Sequence, residues 1–541
     1  MPIPLPPLTS GPGVYLQELP NPVRPIVGVP TSMAAFYGRA SQGIVDYPYQ
    51  VNAWADYENE FGELDTAYPM SYAVYLFFLN GGNTALVVRY NDPTVKTASA
   101  ALSGDTTLVA SSPGQWAVTD ALTAVVDTSN LVNTSVNQFN LTLTKADGST
   151  EFYAGVNLTK GTPQYLATQL IPSQFVDVTK STIGTTLPTL DDDKTLTVAF
   201  AMPSADDAGD GGPAAGGAGA AAAGGAAAAG GAAAAAPPAA APDTTGPVDL
   251  GDPDTKTGIY ALLKADIFNM LCLPVDPTNT YVTKALDEAA AFCTQQRAML
   301  IVDTPSTWDA IPLTFSTITT QPQASFLSPS TNAAVYYPNL QLTDATGATF
   351  TSGACGAVAG VWAATDASRG VWKAPAGTAA AITGIVGFTA QVDDKESGII
   401  NPVAVNGLRT MPAVGPVVWG ARTTVGADQT QNQWKYLPVR RLALYLEESL
   451  LRGTQWAVFE PNDEPLWSSL RLNVTTFMQG LFSQGAFQGS TPATAYLVQC
   501  DATNNPQSSI DLGIVNILVG FAPLYPAEFV IINIQQQAGQ A

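Results

Sequence analysis

Three consecutive stretches constrain the fold more than any other part of the chain. Asp266-Ile267-Phe268-Asn269-Met270-Leu271-Cys272-Leu273-Pro274 reads as a buried strand. Residues 284–296 place Leu286, Ala289, Ala290 and Cys293 at helical spacing, and Ala298-Met299-Leu300-Ile301-Val302-Asp303 reads as a second strand. Two strands joined through a helix form a parallel βαβ unit, so a parallel sheet is expected. The same order occurs near the start. Residues 33–40 read as a core strand, residues 54–62 as a helical turn ending at Gly62, and residues 68–79 as a buried helix closed by Asn80-Gly81-Gly82. Residues 85–90 are then a strand, and the whole reads as an α/β layer.

The character changes from about residue 92 to 202, where charge is sparse and Thr, Ser, Asn and Val dominate. Phe139-Asn140-Leu141-Thr142-Leu143-Thr144 alternates with period two, turns at Asp147-Gly148 and resumes at Glu151-Phe152-Tyr153, a hairpin signal. Leu196, Val198 and Phe200 alternate likewise, so a mostly β domain is inserted into the α/β one. Asp191-Asp192-Asp193 has no ligand spacing around it and reads as a solvated turn. Residues 208–241 are nearly pure Ala, Gly and Pro and read as a flexible linker or exposed loop. Two later helices stand out. Residues 437–451 set Leu442, Leu446 and Leu450 in a stripe beside Arg440 and Arg441. Residues 466–482 set Leu466, Leu470, Val474, Phe477, Met478 and Leu481 on one face, capped by Asn462 or Asp463. Residues 496–500 and 514–521 read as strands.

Both ends carry strand candidates on Pro-rich arms. Gly13-Val14-Tyr15-Leu16-Gln17-Glu18-Leu19 is followed by Pro20, Pro22 and Pro25, and Val27-Gly28-Val29 reads as another short strand. Phe529-Val530-Ile531-Ile532-Asn533-Ile534-Gln535 follows Pro523 and Pro526 and is rich in β-branched residues. An apolar terminal strand needs an edge to pair with, in its own fold or in a neighbour.

Composition narrows the function. Charged residues are 12% of 541, about half the ~25% usual for soluble proteins. Either much surface is buried between subunits, or Ala, Gly, Thr, Ser and Asn replace charge in a secreted β-rich protein. The net charge of −22 argues against nucleic acid and anionic membranes as partners. Histidine is absent, which removes Ser-His-Asp and Cys-His catalysis and His-ligated zinc. Cys272, Cys293, Cys355 and Cys500 form no C-x-x-C pair and read as buried thiols of a reducing compartment. The opening Met1-Pro2-Ile3-Pro4 carries no signal-peptide pattern, and no stretch has the ~20 continuous apolar residues a membrane span needs. Asp303 at a strand end has no partner motif for catalysis.

Several phrases resemble the contractile tail sheath family. They include Gly11-Pro12-Gly13-Val14-Tyr15-Leu16-Gln17-Glu18, Gly356-Ala357-Val358-Ala359-Gly360-Val361, and Asp366-Ala367-Ser368-Arg369-Gly370-Val371-Trp372-Lys373-Ala374-Pro375. Others are Val418-Trp419-Gly420-Ala421-Arg422-Thr423, Arg440-Arg441-Leu442, Phe459-Glu460-Pro461-Asn462-Asp463-Glu464-Pro465-Leu466-Trp467 and Pro526-Ala527-Glu528-Phe529. The likeness covers roughly residues 10–90 and 258–536; residues 92–250 match nothing and correspond to a variable outward insertion.

The resemblance implies a mixed α+β and α/β fold. An α/β sheath core (33–91 and 258–521) carries an inserted mostly-β outer domain (92–205) and an Ala/Gly/Pro-rich linker or loop (206–257). The arms are 1–32 and 522–541. The implied function is structural and non-enzymatic, without catalytic residue, cofactor or metal. Six-fold rings of the protomer would stack helically around an inner tube and contract to drive that tube forward. Inter-subunit strands would comprise Val14, Tyr15, Leu16, Gln17, Glu18 and Phe529, Val530, Ile531, Ile532, Asn533, Ile534. The helix over 466–482 would face the tube through Arg471, Asn473 and Thr475. Expected partners are further copies of the chain, the inner tube protein, and baseplate and terminator or cap proteins, with no nucleic acid and no membrane insertion. Assembly would occur in the bacterial cytoplasm, in a phage tail or a tail-like particle released from the cell. One uninterrupted chain argues against the split type VI sheath, and the opening and Phe459–Trp467 phrases lean toward extracellular injection systems. A surface-layer or adhesin-like protein is the structural alternative, and a carboxylate hydrolase the enzymatic one.

Overall fold

Apolar residues on both faces of residues 34–38 and 85–89 make buried strands. β1 (Ala34–Gly38) and β3 (Ala85–Arg89) are buried throughout, and β2 (Tyr49–Val51) lies beside β3. α1 (Trp54–Phe61) ends at Gly62, whose φ of 97° is the left-handed region glycine tolerates. α2 (Pro69–Leu79) starts on a proline, whose missing N–H costs nothing there, and buries Met70, Tyr72, Val74, Leu76 and Phe77. The computed structural model describes residues 24–90, 96–114, 116–129, 131, 137–192, 194–203, 250–274, 283–308 and 327–529. These divide into two units, one of residues 30–442 with 526–529, the other of residues 24–29 with 443–525.

Within the larger unit, residues 98–202 have a buried cluster of their own, including Leu108, Trp116, Val126, Phe139, Leu141 and Leu143. β4 (Ser99–Ala101) and β5 (Thr107–Val109) pair antiparallel. β6 (Thr123–Asp127), β7 (Phe139–Thr144), β8 (Thr150–Val156) and β9 (Thr195–Ala199) form an antiparallel sheet in the order β8-β7-β6-β9. The expected hairpin is present: Gly148 has φ 87°, and the Asp147 carboxylate accepts from Ser149 N at 2.7 Å. Asp191 sits in a turn closed by Lys194 N; Asp193 lies outside the described residues.

The rest of the larger unit supplies β10 (Met270–Cys272), α3 (Thr283–Gln295), β11 (Met299–Asp303), β12 (Ala333–Tyr337), β13 (Leu340–Thr343), β14 (Thr349–Ser352), α4 (Cys355–Arg369), β15 (Gly387–Phe388), α5 (Asp394–Ile400), β16 (Val405–Met411) and β17 (Gly415–Val418). One eight-stranded sheet runs β17-β16-β12-β11-β10-β1-β3-β2, with β16, β12, β11, β10, β1 and β3 parallel and β17 and β2 antiparallel at its edges. The β10–α3–β11 unit is as the sequence predicts, although the ladder spans only Met270–Cys272 of the expected 266–274. A 3₁₀ turn up to Lys264 precedes it and Pro274 follows it. α2 and α4 approach closely. A Cβ on Gly356 would come within 2.1 Å of Ala73 O, and one on Gly360 within 2.5 Å of Phe77 O.

The chain passes to the smaller unit within α6 (Leu437–Gly453) and continues through α7 (Glu464–Ser483), β18 (Tyr496–Gln499) and β19 (Leu518–Phe521). Leu466, Trp467, Leu470 and Cys500 form its core, with Trp456, Ile510, Val515 and Ile517 packed on it. Val27-Gly28-Val29, expected as a strand, has no ladder. It lies along α6, with Val29 N bonded to Ser449 Oγ at 3.2 Å and Ile26 against Gly453. The strand expected over 514–521 is also shorter, because Ile514 closes a turn at Gly513 through its bond to Ser509 O.

Candidate assembly site

β18 and β19 form a ladder of two strands, pairing Tyr496 with Phe521 and Gln499 with Leu518. Among the described residues neither strand has a second ladder on its outer edge, and the one further pairing nearby is the bridge of Phe487 with Pro523, just past the end of β19. The register sets Leu497 and Leu518 diagonally on one face, 54% and 50% exposed. Two short, apolar, half-paired strands offer main-chain donors and acceptors to an added strand on either side. Val14, Tyr15, Leu16, Gln17, Glu18, Val530, Ile531, Ile532, Asn533 and Ile534 lie outside the described residues. Phe529, the last described residue, is 76% exposed.

The roots of both arms are held by buried arginines. Arg441 donates to both Asp366 oxygens, at 2.9 and 2.6 Å, and to Thr31 O at 3.1 Å, while its guanidinium lies 4.9 Å from the Trp362 ring centre. Arg422 binds Glu528 with two nitrogens, at 2.8 and 2.5 Å. Both arginines sit in phrases the sequence singles out, but their partners are far apart in sequence, and nothing in the chain order pairs them.

α7 begins where the sequence predicts. Asp463 Oδ1 accepts from Leu466 N at 3.2 Å, and Asn462 accepts from Trp467 Nε1 at 2.8 Å while donating to Ile514 O at 3.1 Å. Of the residues expected to face a tube, Arg471 and Thr475 share a side of the helix and Asn473 does not. Positions 471 and 473 lie on opposite sides of a helix. Arg471 is engaged within its own unit, donating to Cys500 O at 2.5 Å and to Glu464 at 3.3 Å. Asn473 is 2% exposed, and neither amide atom has a hydrogen-bond partner. Thr475 is half-buried. The face turned outward carries Leu472, Thr476 and Gly480. Sequence periodicity contains this stripe, because it is the complement of the apolar face.

Asp303 is held as a helix cap. Its Oδ1 accepts from Ala354 N and Cys355 N, both at 2.7 Å, at the start of α4, while Oδ2 is enclosed without a partner. Burial pushes its carboxyl up to about 6, against the pull of those bonds. All four cysteines are buried free thiols. Among the described residues no cluster of three Cys, Asp or Glu is placed to hold a metal, and no helix is long and apolar enough to cross a membrane.

Comparison with known proteins decides the family. The phage tail sheath protein central domain matches residues 250–424, and the phage tail sheath C-terminal domain matches residues 429–537. The chain belongs to the tail sheath family. It is 25% identical over 179 residues to the tail sheath protein of Vibrio phage KVP40, covering 33% of this chain and 25% of that one. It spans about a quarter of the length of the curated relatives it matches. Its fold is similar to the sheath of an extracellular contractile injection system, the PVC sheath complex in its contracted state. That likeness has a TM-score of 0.56 and 21% identity and covers 98% of both chains. It is also similar to a sheath tail protein from Listeria innocua, with a TM-score of 0.55 and 15% identity over 92% of this chain and 96% of that one. The mixed α+β fold is therefore that of solved sheath proteins. The two sheath domains cover the parallel sheet from β10 onward and residues 443–525 of the smaller unit, and they include neither residues 24–29 nor residues 98–202.

Proposed function

We propose that the protein is the sheath subunit of a contractile injection machine. It polymerises as stacked six-fold rings around an inner tube, contracts, and drives the tube through a target envelope. The observation that carries this is the β18–β19 ladder with an open edge on each side, in a chain whose two ends each carry a strand sequence on a Pro-rich arm. A strand from a neighbour adds to each edge, so rings and layers stay linked while larger bodies move. Residues 14–18 and 529–534 are those strands. Residues 92–205 form an outer domain, and 206–257 a linker. α7 faces the tube, with the Arg471–Thr475 side beside the exposed Leu472 and Thr476. The subunit does no catalysis and needs no cofactor. Its partners are its own copies, the tube protein, and baseplate and cap proteins. Assembly takes place in the bacterial cytoplasm, within a phage tail or a tail-like particle.

Negative-stain microscopy of the expressed chain tests this. Long hollow tubes are expected; flat lattices or monomers alone overturn it. Deletion of residues 529–541 should leave a folded protomer, with the melting curve of the full chain, that no longer forms tubes. A truncated chain that still builds full tubes removes the role assigned to the C-terminal strand.

A further inference from the structure

From Pro526 the chain leaves the smaller unit and belongs with the larger one. Two residues on, Glu528 meets Arg422, which is only 1% exposed. Nε donates to Oε1 at 2.8 Å and Nη2 to Oε2 at 2.5 Å, a bidentate pair, with the Tyr436 hydroxyl 3.5 Å from Oε2. The third nitrogen, Nη1, is taken by groups of the larger unit: Asn401 O at 2.8 Å, Gly426 O at 3.3 Å and Asp428 Oδ1 at 3.0 Å. Lys435 Nζ sits 2.6 Å from the same Asp428 oxygen. The Arg422 backbone is fixed as well. Its N–H donates to Asn406 Oδ1 at 2.7 Å, and Asn406 Nδ2 donates to Arg422 O at 2.8 Å and to Val335 O at 3.1 Å. Asn406 lies in β16 and Val335 in β12, both strands of the parallel sheet. One side of the arginine is thus built into that sheet, and the other holds a carboxylate of the tail.

We infer that the Arg422–Glu528 pair is the mechanical anchor of the C-terminal arm, so that pull exerted by a second copy of the chain on residues 530–541 ends on the parallel sheet. The inference rests on the sheath reading, since only a docked arm carries tension. Without the anchor, the pull runs through Pro526 to the single bridge of Pro523 with Phe487, and then to β19, a strand of four residues laddered on one side. A force along the end of such a strand opens its bonds one after another. The bidentate pair presents two charge-assisted bonds that must yield together, on an arginine that is buried and a glutamate whose side chain is only 16% exposed.

Sheaths assembled from the full chain are compared with sheaths of Glu528→Gln and Glu528→Asp chains. Residues 522–529 are also followed by hydrogen exchange in the unassembled protomer. The expected result for Glu528→Gln is exchange at these residues faster by about tenfold or more, with the rest of the chain unchanged. Its sheaths should be shorter after a fixed shear, with the free protomer in equilibrium with them raised about thirtyfold. Glu528→Asp, which keeps the charge at shorter reach, recovers part of both. Wild-type chains that form no tubes overturn the sheath reading and the anchor with it. Glu528→Gln sheaths as long after shear as wild type, with exchange unchanged, overturn the anchor alone. So does an aspartate variant indistinguishable from glutamine, or a glutamine variant whose protomer no longer melts cooperatively, which makes the pair a folding element instead.

Discussion

At the scale of residues, Asp303 shows how a carboxylate at the end of a central strand can be structural. It caps the first turn of α4 with one oxygen and leaves the other enclosed. Its folded-state value, about 6, lies above the ordinary carboxylate value, so folding favours the neutral form. The stability it contributes is therefore fully present below about pH 4 and is lost as pH rises through about 6. Asp303→Asn removes that dependence. Melting temperatures of the variant and the native chain should converge, or reverse in favour of the native chain, as pH falls from 7.5 to 4.5. A gap that stays constant over this range contradicts the assignment. The Arg441–Asp366 pair has a different character, because both charges are buried and each satisfies the other in two parallel bonds. Such pairs are costly to break from one side.

At the scale of elements, α7 gives the sharpest test. Its inward face, with Leu466, Leu470, Val474, Met478 and Leu481, is spoken for by packing. Leu472, half exposed on the outer side, has no such demand upon it. The double change Leu472→Glu and Thr476→Glu should leave the melting temperature within about 2 °C, as surface substitutions do. It should abolish co-assembly with the tube protein, measured by co-sedimentation. Full co-sedimentation would move the tube contact elsewhere. The elements also show what the sequence reveals. α1, α2, α3, α6 and α7 are legible because apolar spacing, caps and closing glycines agree. α4 is less so: its core contacts are Ala and Gly chosen for close approach to α2, and small residues give little periodic signal. β12 and β16 are missed as strands because parallel strands buried on both faces lack alternation. Asn473 is misplaced among the outward residues because polarity is taken to mean exposure, and here an amide is buried without partners.

At the scale of the whole molecule, charge opposes assembly. Each protomer carries −22, and packing many copies together stacks that charge. The Debye length falls from about 30 Å at 0.01 M salt to about 8 Å at 0.15 M. Raising sodium chloride over that range should lower the protomer concentration at which light scattering appears. An increase would mean that attractive ion pairs between subunits outweigh the repulsion.

The order of strands in the parallel sheet has a further consequence during synthesis. β1 is flanked by β3, made soon after it, and by β10, whose Met270 pairs with Ala34. At roughly 5–20 residues per second, β1 waits tens of seconds on the ribosome with one side uncovered. Residues 98–202, with their own buried cluster, can fold in that interval. The β18–β19 ladder emerges last, so a nascent chain offers no acceptor edge until nearly all of it has been made. On the proposed function, finished protomers rather than growing ones are then what an assembly would take up.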